Sequence, residues 1–466
     1  MVSTVEHFQE QEKHAPGPTG VESGSPSENA TMQESASGFR PCESARVKTA
    51  SMYGIWRPAR REHRFPSMIA RAAPCHIGVT ACVTSSRMMI PVLAAGAFCV
   101  VTTTIQVAST VIAIIRCKPP ATRMDTPAHA PAVSLVRPVC GLENYVEETL
   151  ASGFALDYPH YEIVFCVASA QDPVVPMVKR LMAAHPGVPA RLLVGSEKIS
   201  DNPKLNNVYK GWRAAAHAWI VLADSNVFMP PDYIQRLVSA WRPDTGLVCS
   251  PPVGCRPDGL WAEVECAFLN TYQARFQYTA DTIGLGFAQG KSMLWRRSIL
   301  EDAGGIRALA SELAEDAAAT KVVRRADLRV RLVDAPFEQP LGYRSPAEVW
   351  RRQVRWARLR RTSFKAYFMP EILAGGAWPL AAAAFAAAQS DSDLSLAVVP
   401  ALAAVWYGSE AILAWAAGWH LSARSPLAWL LRDLLLPAIW INGWLGSAFV
   451  WRGNQMRPVE SFSSKL

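Results

Sequence analysis

Short apolar runs alternate with amphipathic segments in the middle of the chain. The runs predict strands at residues 133–136, 161–167, 191–194 and 219–223, and the amphipathic segments predict helices at 142–152, 174–184 and 205–217. The strands are continuously apolar rather than alternating, which is typical of a sheet covered on both faces. Because strand and helix alternate along the chain, we expect an α/β domain with a mostly parallel sheet.

Longer apolar segments flank this region. Residues 88–115 carry no charged side chain and are long enough to cross a bilayer. Three more apolar segments, at 372–388, 394–419 and 434–450, predict two or three C-terminal spans, of which one could be re-entrant or interfacial. Glu410 lies in the middle one, where a charged side chain is expected to face a protein partner or water rather than lipid.

These patterns divide the chain into five parts. We expect a disordered tail at 1–87, a transmembrane helix at 88–115, an α/β domain at 116–368, membrane segments at 369–451 and a short tail at 452–466. The basic block at 351–365 directly precedes the second span, so we place the α/β domain in the cytoplasm. The Ala- and Arg-rich composition is typical of a GC-rich bacterial genome, which predicts a multi-pass protein of the inner membrane.

The amino-acid composition limits the classes of ligand and partner that this chain is expected to bind. The net charge is +8, and half of the residues are hydrophobic while 18% are charged, which favours a membrane protein with anionic ligands. No zinc-finger spacing or ribonucleoprotein motif is present, so we expect no nucleic-acid partner. The ten cysteines are scattered without a Cys-x-x-Cys pair, which favours a reducing compartment over a disulfide framework or a zinc site.

Acidic residues follow two of the predicted strands. Asp172 follows the second strand and Asp224 the fourth. Ligands of open parallel sheets bind beyond the carboxyl ends of the strands. A carboxylate at that position can accept hydrogen bonds from a base or ribose, or hold a divalent cation on a diphosphate. Each aspartate could equally cap the helix that follows it.

A second acidic pair, Glu315-Asp316, precedes a basic block with six arginines between Arg351 and Arg361. A carboxylate that can accept a proton thus lies upstream of cations that can hold a phosphate, next to an apolar segment. This order is typical of group transfer from a phosphorylated donor to a lipid. The arginines alone would equally fit a basic surface on anionic headgroups.

Seven short motifs complete the pattern: Val-Ser-Leu-Val-Arg-Pro at 133–138, Leu-Asp-Tyr-Pro at 156–159, Asn-Pro-Lys-Leu-Asn-Asn at 202–207, Ala-Asp-Ser at 223–225, Ala-Gly-Gly at 303–305, Ala-Glu-Asp at 314–316 and Gln-Val-Arg-Trp at 353–356. Together they resemble inverting glycosyltransferases of the nucleotide-diphospho-sugar transferase (GT-A-like) fold, and within them the ceramide glucosyltransferase family. The resemblance covers about residues 132–365. It implies transfer of a hexose, expected to be glucose, from a UDP-sugar to the primary hydroxyl of ceramide with inversion.

The resemblance also implies roles for individual residues. Asp316 would be the general base, with Glu315 as the alternative. The donor would be bound by Asp172 at the uridine and by Lys204, Asp224 and Asn226. The acceptor and the leaving diphosphate would be contacted by Gln353, Arg355 and Trp356. Lys204 could equally be a surface lysine, and Trp356 could equally pack at the membrane interface.

One departure concerns the metal. Asp224 would hold Mg²⁺ or Mn²⁺ at the diphosphate, and many relatives carry Asp-x-Asp at this position. The present chain has Asp224-Ser225-Asn226 instead. An asparagine offers one neutral oxygen, so metal binding should be weaker or differently arranged.

Three alternatives stay open at this point. The acceptor could be a hopanoid polyol that receives another sugar from its UDP donor. A processive polysaccharide synthase also uses Gln-x-x-Arg-Trp but needs enough spans to form a channel, and this chain offers few. A non-catalytic membrane scaffold could retain the same fold, although the presence of all the motifs speaks against it.

Overall fold

The computed structural model describes residues 77–126, 129–389, 395–446, 449–451 and 454–456. Most of the predicted tails at 1–87 and 452–466 lies outside these residues, as do the basic residues that precede residue 77. Residues 77–87 are helical and continue into the predicted first span. The first helix therefore begins earlier than predicted.

Strands in the described residues fall into three sheets. They are β1 Val133–Val139, β2 Tyr161–Val167, β3 Ala190–Val194, β4 Trp219–Ala223, β5 Thr245–Cys249, β6 Val253–Asp258, β7 Ser292–Arg296, β8 Arg329–Leu332, β9 Glu338–Tyr343, β10 Phe449–Trp451 and β11 Asn454–Met456. The main sheet has the order β3-β2-β1-β4-β7-β5-β8. Its pairings are parallel except those of β7, which runs antiparallel to β4 and β5. The predicted α/β fold with a mostly parallel sheet is confirmed.

Helices cover both faces of the sheet and extend beyond it. They are α1 Ile77–Cys117, α2 Val146–Ala151, α3 Val174–Ala184, α4 Pro203–Ala214, α5 Tyr233–Ser239, α6 Leu260–Ala267, α7 Arg275–Thr282, α8 Arg297–Asp302, α9 Glu315–Arg325, α10 Pro346–Ser363, α11 Lys365–Phe368, α12 Ala377–Ala388, α13 Ser395–Ala416 and α14 Ser425–Trp444. A π-helical segment, Phe268–Ala274, joins α6 to α7.

The continuous apolar strands pack two separate cores. Along β4, Ile220 and Leu222 belong to one core and Val221 and Ala223 to the other. Successive side chains of a strand point to opposite faces, so a strand buried on both faces needs an apolar residue at every position. The first core includes residues of α4, α9 and the C-terminal part of α1, and the second includes residues of α3 and α5.

Two helices of the described chain are long and apolar enough to cross a membrane, Met89–Cys117 and Ala397–Ala416. A third is added if the bent pair Lys365–Leu373 and Ala377–Ala388 forms one span. The segment predicted at 434–450 falls partly on α14 and is not among these candidates. The side of the membrane on which the α/β domain lies, and the boundaries of the five predicted parts, stay predictions.

Glu410 has the protein partner that its position required. Its carboxylate accepts two hydrogen bonds of 2.8 Å from the guanidinium of Arg432, which also pairs with Asp433. Thr271 donates to Glu410 at 2.6 Å, and Arg275 reaches it through Gln106. We call these buried residues the helix cluster: Gln106, Thr271, Arg275, Glu410, Arg432 and Asp433. It joins α1, α13 and α14 to the π-helical segment, which carries Thr271, and to α7, which begins at Arg275.

Candidate active site

The carboxyl end of β4 and the start of β7 lie side by side because the two strands run antiparallel. Ala223 pairs with Ser292, and the amide of Asp224 donates to the carbonyl of Lys291 at 3.0 Å. The loop that precedes β7, residues 284–290, is therefore brought to the edge of the sheet where Asp224 lies. In the sequence, this loop is a glycine-rich stretch whose spacing matches neither a P-loop nor a dinucleotide-binding motif.

A buried arginine fixes the turn that carries Asp224. The guanidinium of Arg137, on β1, donates to the carbonyls of Asp224, Ser225 and Val227 at 3.2–3.3 Å. Burial lowers the pKa of Arg137 to about 10. Sequence reasoning gave Arg137 no role. The signal for one was a charged residue inside an otherwise apolar strand.

Two lysines engage the carboxylate of Asp224. Lys204 Nζ lies 2.6 Å from Oδ1, and Lys291 Nζ lies 3.0 Å from Oδ2. Lys204 Nζ also lies 2.5 Å from Oε1 of Glu315 and donates to the carbonyl of Gly290 at 2.7 Å. We call Lys204, Asp224, Lys291 and Glu315 the cleft cluster. Their side chains are 12–20% exposed, so a ligand can reach them from solvent.

Burial and ion pairing act on the pKa values of this cluster in opposite directions. Burial alone would raise the pKa of Asp224, but Lys204 and Lys291 outweigh it and lower the pKa to about 2. Burial would lower the pKa of Lys204, but Asp224 and Glu315 raise it. The pKa of Lys291 is lowered by burial and by the nearby charge of Arg352, against the attraction of Asp224. Asp224 is therefore a carboxylate at any physiological pH.

The Asn-Pro-Lys motif at 202–204 forms the start of α4 and so fixes the position of Lys204. Asn202 caps α4, because its side chain accepts from the amides of Lys204 and Leu205, and Pro203 begins the helix. The side-chain nitrogen of Asn202, Nδ2, donates a hydrogen bond to Oε2 of Glu315 at 2.8 Å. One side chain thus starts α4 and holds the carboxylate that Lys204 contacts. The interpretation of Lys204 as an ordinary surface lysine is wrong.

Asp316 lies at the start of α9, next to the same loop. Its Oδ1 accepts from the amide of Ala317 at 2.8 Å and its Oδ2 from the amide of Gly290 at 3.3 Å. Burial and the neighbouring Glu315 carboxylate raise the pKa of Asp316 to about 6. A Cβ at Gly290 would lie 2.8 Å from Oε1 of Glu315, 3.3 Å from Nζ of Lys204 and 3.6 Å from Oδ2 of Asp316. Any other residue here would force the Glu315 side chain to shift, so glycine allows these three groups to keep their present positions.

Asn226 lies in contact with this cluster, whereas Asp172 has other contacts. Asn226 Oδ1 accepts from Lys291 at 3.0 Å. The Asp172 carboxylate accepts from the amides of Gly141, at 2.9 and 3.1 Å, and Val174, at 3.0 Å. It therefore ties the loop after β1 to the first residue of α3, although the N-cap of that helix is Pro173 and not Asp172. Contact between Asp172 and a uridine stays a prediction.

Helix α10 carries the Gln-Val-Arg-Trp motif. The helix begins in a capping box between Ser345 and Glu348. Gln353 is 2% exposed and accepts from Gln273 at 3.2 Å, while its Nε2 has no hydrogen-bond partner among the described residues. Trp356 packs on the small cluster of Cys266, Leu269 and Leu341, which supports a packing role.

Much of the arginine block makes contacts within the protein. Arg352 pairs with Glu265, Arg358 with Asn442, Arg360 with Glu371, and Arg361 with the carbonyl of Trp444. Arg355 also has interactions within the chain. These contacts hold α10 against α6 and α14. They explain the density of arginine without requiring a phosphate at each one.

An apolar cavity of about 370 Å³ lies between α6, α10 and α14. Its walls include Trp261, Phe268, Trp350, Gln353, Leu435 and Ile439. Gln353 lines the cavity through apolar atoms, because its amide nitrogen is buried and the wall exposes no polar surface. The cavity can thus accept an apolar chain.

A divalent cation does not fit the cleft cluster as these residues are arranged. Both oxygens of Asp224 and one oxygen of Glu315 are paired with ammonium groups, and the amide oxygen of Asn226 accepts from Lys291. No group of three or more His, Cys, Asp or Glu residues suited to a metal ion occurs in the described part of the chain. The predicted Mg²⁺ or Mn²⁺ at Asp224 therefore disagrees with the positions of these side chains.

Comparison with known proteins gives concordant matches. The family model described as Glycosyl transferase family 21 matches residues 101–460. The chain is 27% identical over 333 residues to ceramide glucosyltransferase 3 of Caenorhabditis elegans, a match that covers 70% of this chain and 72% of that protein. It is 35% identical over 121 residues to a ceramide glucosyltransferase of Komagataella phaffii, covering 25% of this chain and 24% of the relative.

A solved structure with a similar chain course is the mannosyltransferase PcManGT from Pyrobaculum calidifontis in complex with GDP-Man and Mn²⁺. It is 18% identical, with a TM-score of 0.43, and the match covers 75% of this chain and 98% of that one.

Proposed function

This chain belongs to glycosyl transferase family 21, and from that premise we propose that it transfers a hexose from a UDP-sugar to the primary hydroxyl of ceramide, with inversion at the sugar carbon. Glucose is the hexose that the ceramide glucosyltransferase relatives suggest. Asp316 is the general base in this proposal. The apolar helices before and after the α/β domain support a reaction at a membrane.

The observation that carries the proposal is the convergence at Gly290. Three groups approach this one residue: the ammonium of Lys204 and the carboxylates of Glu315 and Asp316. Lys204 in turn contacts Asp224 at the end of β4. Lys291 contacts the other oxygen of Asp224, so a cationic group that can bind a diphosphate and a carboxylate that can accept a proton lie within one small site.

The chemical step needs one base. The acceptor oxygen forms a bond to C1 of the sugar from the face opposite the diphosphate, and its proton passes to the carboxylate of Asp316. The bond from C1 to the diphosphate oxygen breaks, and its electron pair leaves with UDP. With a pKa of about 6, Asp316 is largely ionised at neutral pH yet is a stronger base than an ordinary aspartate.

The apolar cavity supports a lipid acceptor. Its apolar walls would hold a hydrocarbon chain of the lipid. The charge of Arg352, the residue before Gln353, lies close enough to Lys291 to lower the pKa of that ammonium. This charge effect supports a donor region close to the α10 residues that line the cavity.

The test is a lipid product assay on the full-length protein in membranes. Labelled UDP-glucose, UDP-galactose, UDP-N-acetylglucosamine and GDP-mannose are each supplied with ceramide, and the lipid extract is analysed by mass spectrometry. Ceramide carrying one hexose from a UDP donor is the expected product. A sugar on a hopanoid, a polymer, or no product with any donor would overturn the acceptor assignment or the proposal as a whole.

Asp316→Asn tests the base. Loss of the proton acceptor should lower kcat by about 10²- to 10⁴-fold while UDP binding persists. The matched control is Asp302→Asn, which makes the same change at an exposed position on α8. Near-normal turnover in the Asp316 variant would exclude it as the base.

Leu435→Trp tests the cavity, because the larger side chain would fill it. We expect a higher KM for long-chain ceramide and an unchanged KM for the UDP-sugar. Leu434→Trp is the control, since Leu434 lies beside Leu435 on α14 but is 59% exposed. An equal effect of the two substitutions would assign the loss to the helix rather than the cavity.

A further inference from the structure

The oxygens of Asp224 and Asn226 point to the same atom. Asp224 Oδ2 and Asn226 Oδ1 each lie 3.0 Å from Nζ of Lys291. Two oxygens that converge on one point, from residues two apart in a turn at the end of a strand, form a typical cation position. The cation that occupies it is a side chain of the protein itself.

Both carboxylate oxygens of Asp224 already face an ammonium group, and the further carboxylate of Asp316 lies beside Glu315 rather than at this position. The cleft cluster contains two carboxylates, Asp224 and Glu315, and two ammonium groups, Lys204 and Lys291. Mg²⁺ and Mn²⁺ bind where carboxylate oxygens supply uncompensated negative charge. A divalent cation could enter here only by displacing the ammonium group of Lys291, which has no acidic partner other than Asp224 among the contacts given above. Leaving that ammonium group unpaired is unfavourable, because the side chains of this cluster are only 12–20% exposed.

Resting on the function proposed above, we propose that Lys291, supported by Lys204, supplies the positive charge that stabilises the leaving diphosphate, so that sugar transfer proceeds without a divalent metal ion. When the bond from C1 to the diphosphate oxygen breaks, its electron pair adds negative charge to UDP. A fixed ammonium at that oxygen stabilises this charge as it develops, as an oxyanion-hole donor does.

Hydrogen-bond capacity distinguishes the two lysines. An ammonium group has three donors. Among the described residues, those of Lys204 are taken by Asp224, Glu315 and the carbonyl of Gly290. Lys291 uses two, toward Asp224 and Asn226, which leaves its third for a phosphate oxygen. Lys291 is therefore the residue that contacts the donor, and Lys204 holds Asp224 in place.

The first experiment compares the full-length protein in detergent with excess EDTA and with added Mg²⁺ or Mn²⁺. Turnover and UDP affinity, the latter by calorimetry, should agree within about twofold across these conditions. Activity and UDP binding that vanish in EDTA and return with Mn²⁺ would overturn the proposal. UDP binding needs no acceptor, so this measurement remains decisive even if ceramide proves to be the wrong substrate.

Substitution of Lys291 is the second experiment. Lys291→Met should lower kcat by about 10²- to 10³-fold and weaken UDP binding in EDTA by about 10- to 100-fold. Lys291→Arg keeps the charge and should retain more activity. Lys179→Met is the matched control, because Lys179 is exposed on α3. Equal UDP affinity in wild type and Lys291→Met would overturn the role of Lys291, provided thermal unfolding shows both proteins folded.

A double variant makes the sharpest test. Lys291→Ala with Asn226→Asp removes the resident ammonium and adds a second carboxylate beside Asp224. This should create a divalent-cation site, so Mn²⁺ should raise UDP affinity by on the order of tenfold or more over EDTA. Lys291→Ala alone should respond less. A double variant that ignores Mn²⁺ would show that Lys291 does not occupy a cation position.

Discussion

The cleft cluster and the helix cluster are built from the same groups and differ in access. Each pairs two carboxylates with basic side chains. In the helix cluster, Glu410, Arg432 and Asp433 are 0–1% exposed. The cleft cluster is 12–20% exposed, and Lys291 retains a donor. A sealed cluster of paired charges joins helices, whereas an open one with an unused donor can bind a ligand.

The surroundings of the two clusters agree with this distinction. Asp433 accepts further hydrogen bonds from the amide of Gly376 at 2.7 Å and the hydroxyl of Tyr407 at 3.2 Å, so α13, α14 and the residue before α12 all contact the helix cluster. The cleft cluster instead lies at the carboxyl edge of the sheet, beside a loop whose glycine leaves space. The first is arranged to exclude water and the second to admit a substrate.

The largest expected effect comes from breaking the helix cluster. Arg432→Met leaves Glu410 and Asp433 buried without their cation, which should destabilise the fold by about 3–5 kcal/mol. Thermal unfolding in detergent, followed by size-exclusion chromatography, measures this. A triple variant with Arg432→Met, Glu410→Gln and Asp433→Asn should be more stable than the single one, because no charge is left unpaired. A single variant as stable as wild type would show that these charges reach water.

The two clusters also mark how far sequence reasoning extends. The strands at 161–167 and 219–223 were predicted at their observed bounds, because a strand buried on both faces leaves a local apolar signature. The motifs located Asp224 and Asp316. The sequence indicated that Glu410 needs a partner. It did not indicate that this partner is Arg432, because the pairing depends on how α13 packs on α14. Packing between two helices leaves no signature in the sequence of either one.

Lys291 was missed for a related reason. Its place beside Asp224 depends on β7 inserting antiparallel between β4 and β5. The region from 246 to 295 has a mixed pattern, and strand order there is set by long-range pairing. Asn202 was quoted as part of a motif, but its double role as helix cap and partner of Glu315 required knowing that α9 lies next to α4.

The second prediction perturbs the cleft cluster without changing its charge. In Gly290→Ala the added Cβ would lie 2.8 Å from Oε1 of Glu315, so Glu315 and Lys204 must move. A displacement of this size should lower kcat by up to about 10²-fold. Unfolding temperature should change little, in contrast to Arg432→Met. Gly187→Ala is the control, because no atom lies within 4 Å of a Cβ built there. Equal kcat in the two variants would show that the close contacts at Gly290 are not needed.

The third prediction uses pH. Burial and Glu315 raise the pKa of Asp316 to about 6, and a general base acts only when deprotonated. The sign follows directly: kcat/KM should be constant above the pKa and fall about tenfold per pH unit below it. The residual activity of Asp316→Asn should not show this fall of kcat/KM at low pH. A wild-type profile that is flat from about pH 7 to 5 would contradict the assignment of Asp316.

The smallest effect is expected where paired charges are open to water and bind nothing. Arg180 and Glu147 form a 2.7 Å ion pair between α3 and α2, with side chains 61% and 54% exposed. Solvent and salt screen such a pair, so Arg180→Ala should cost less than about 1 kcal/mol and leave kcat unchanged. Thermal unfolding at low and high salt measures the difference, which should shrink as salt rises. If this pair proved as important as Glu410–Arg432, exposure would not be what separates structural charge clusters from functional ones, and the contrast between the two clusters would lose its physical basis.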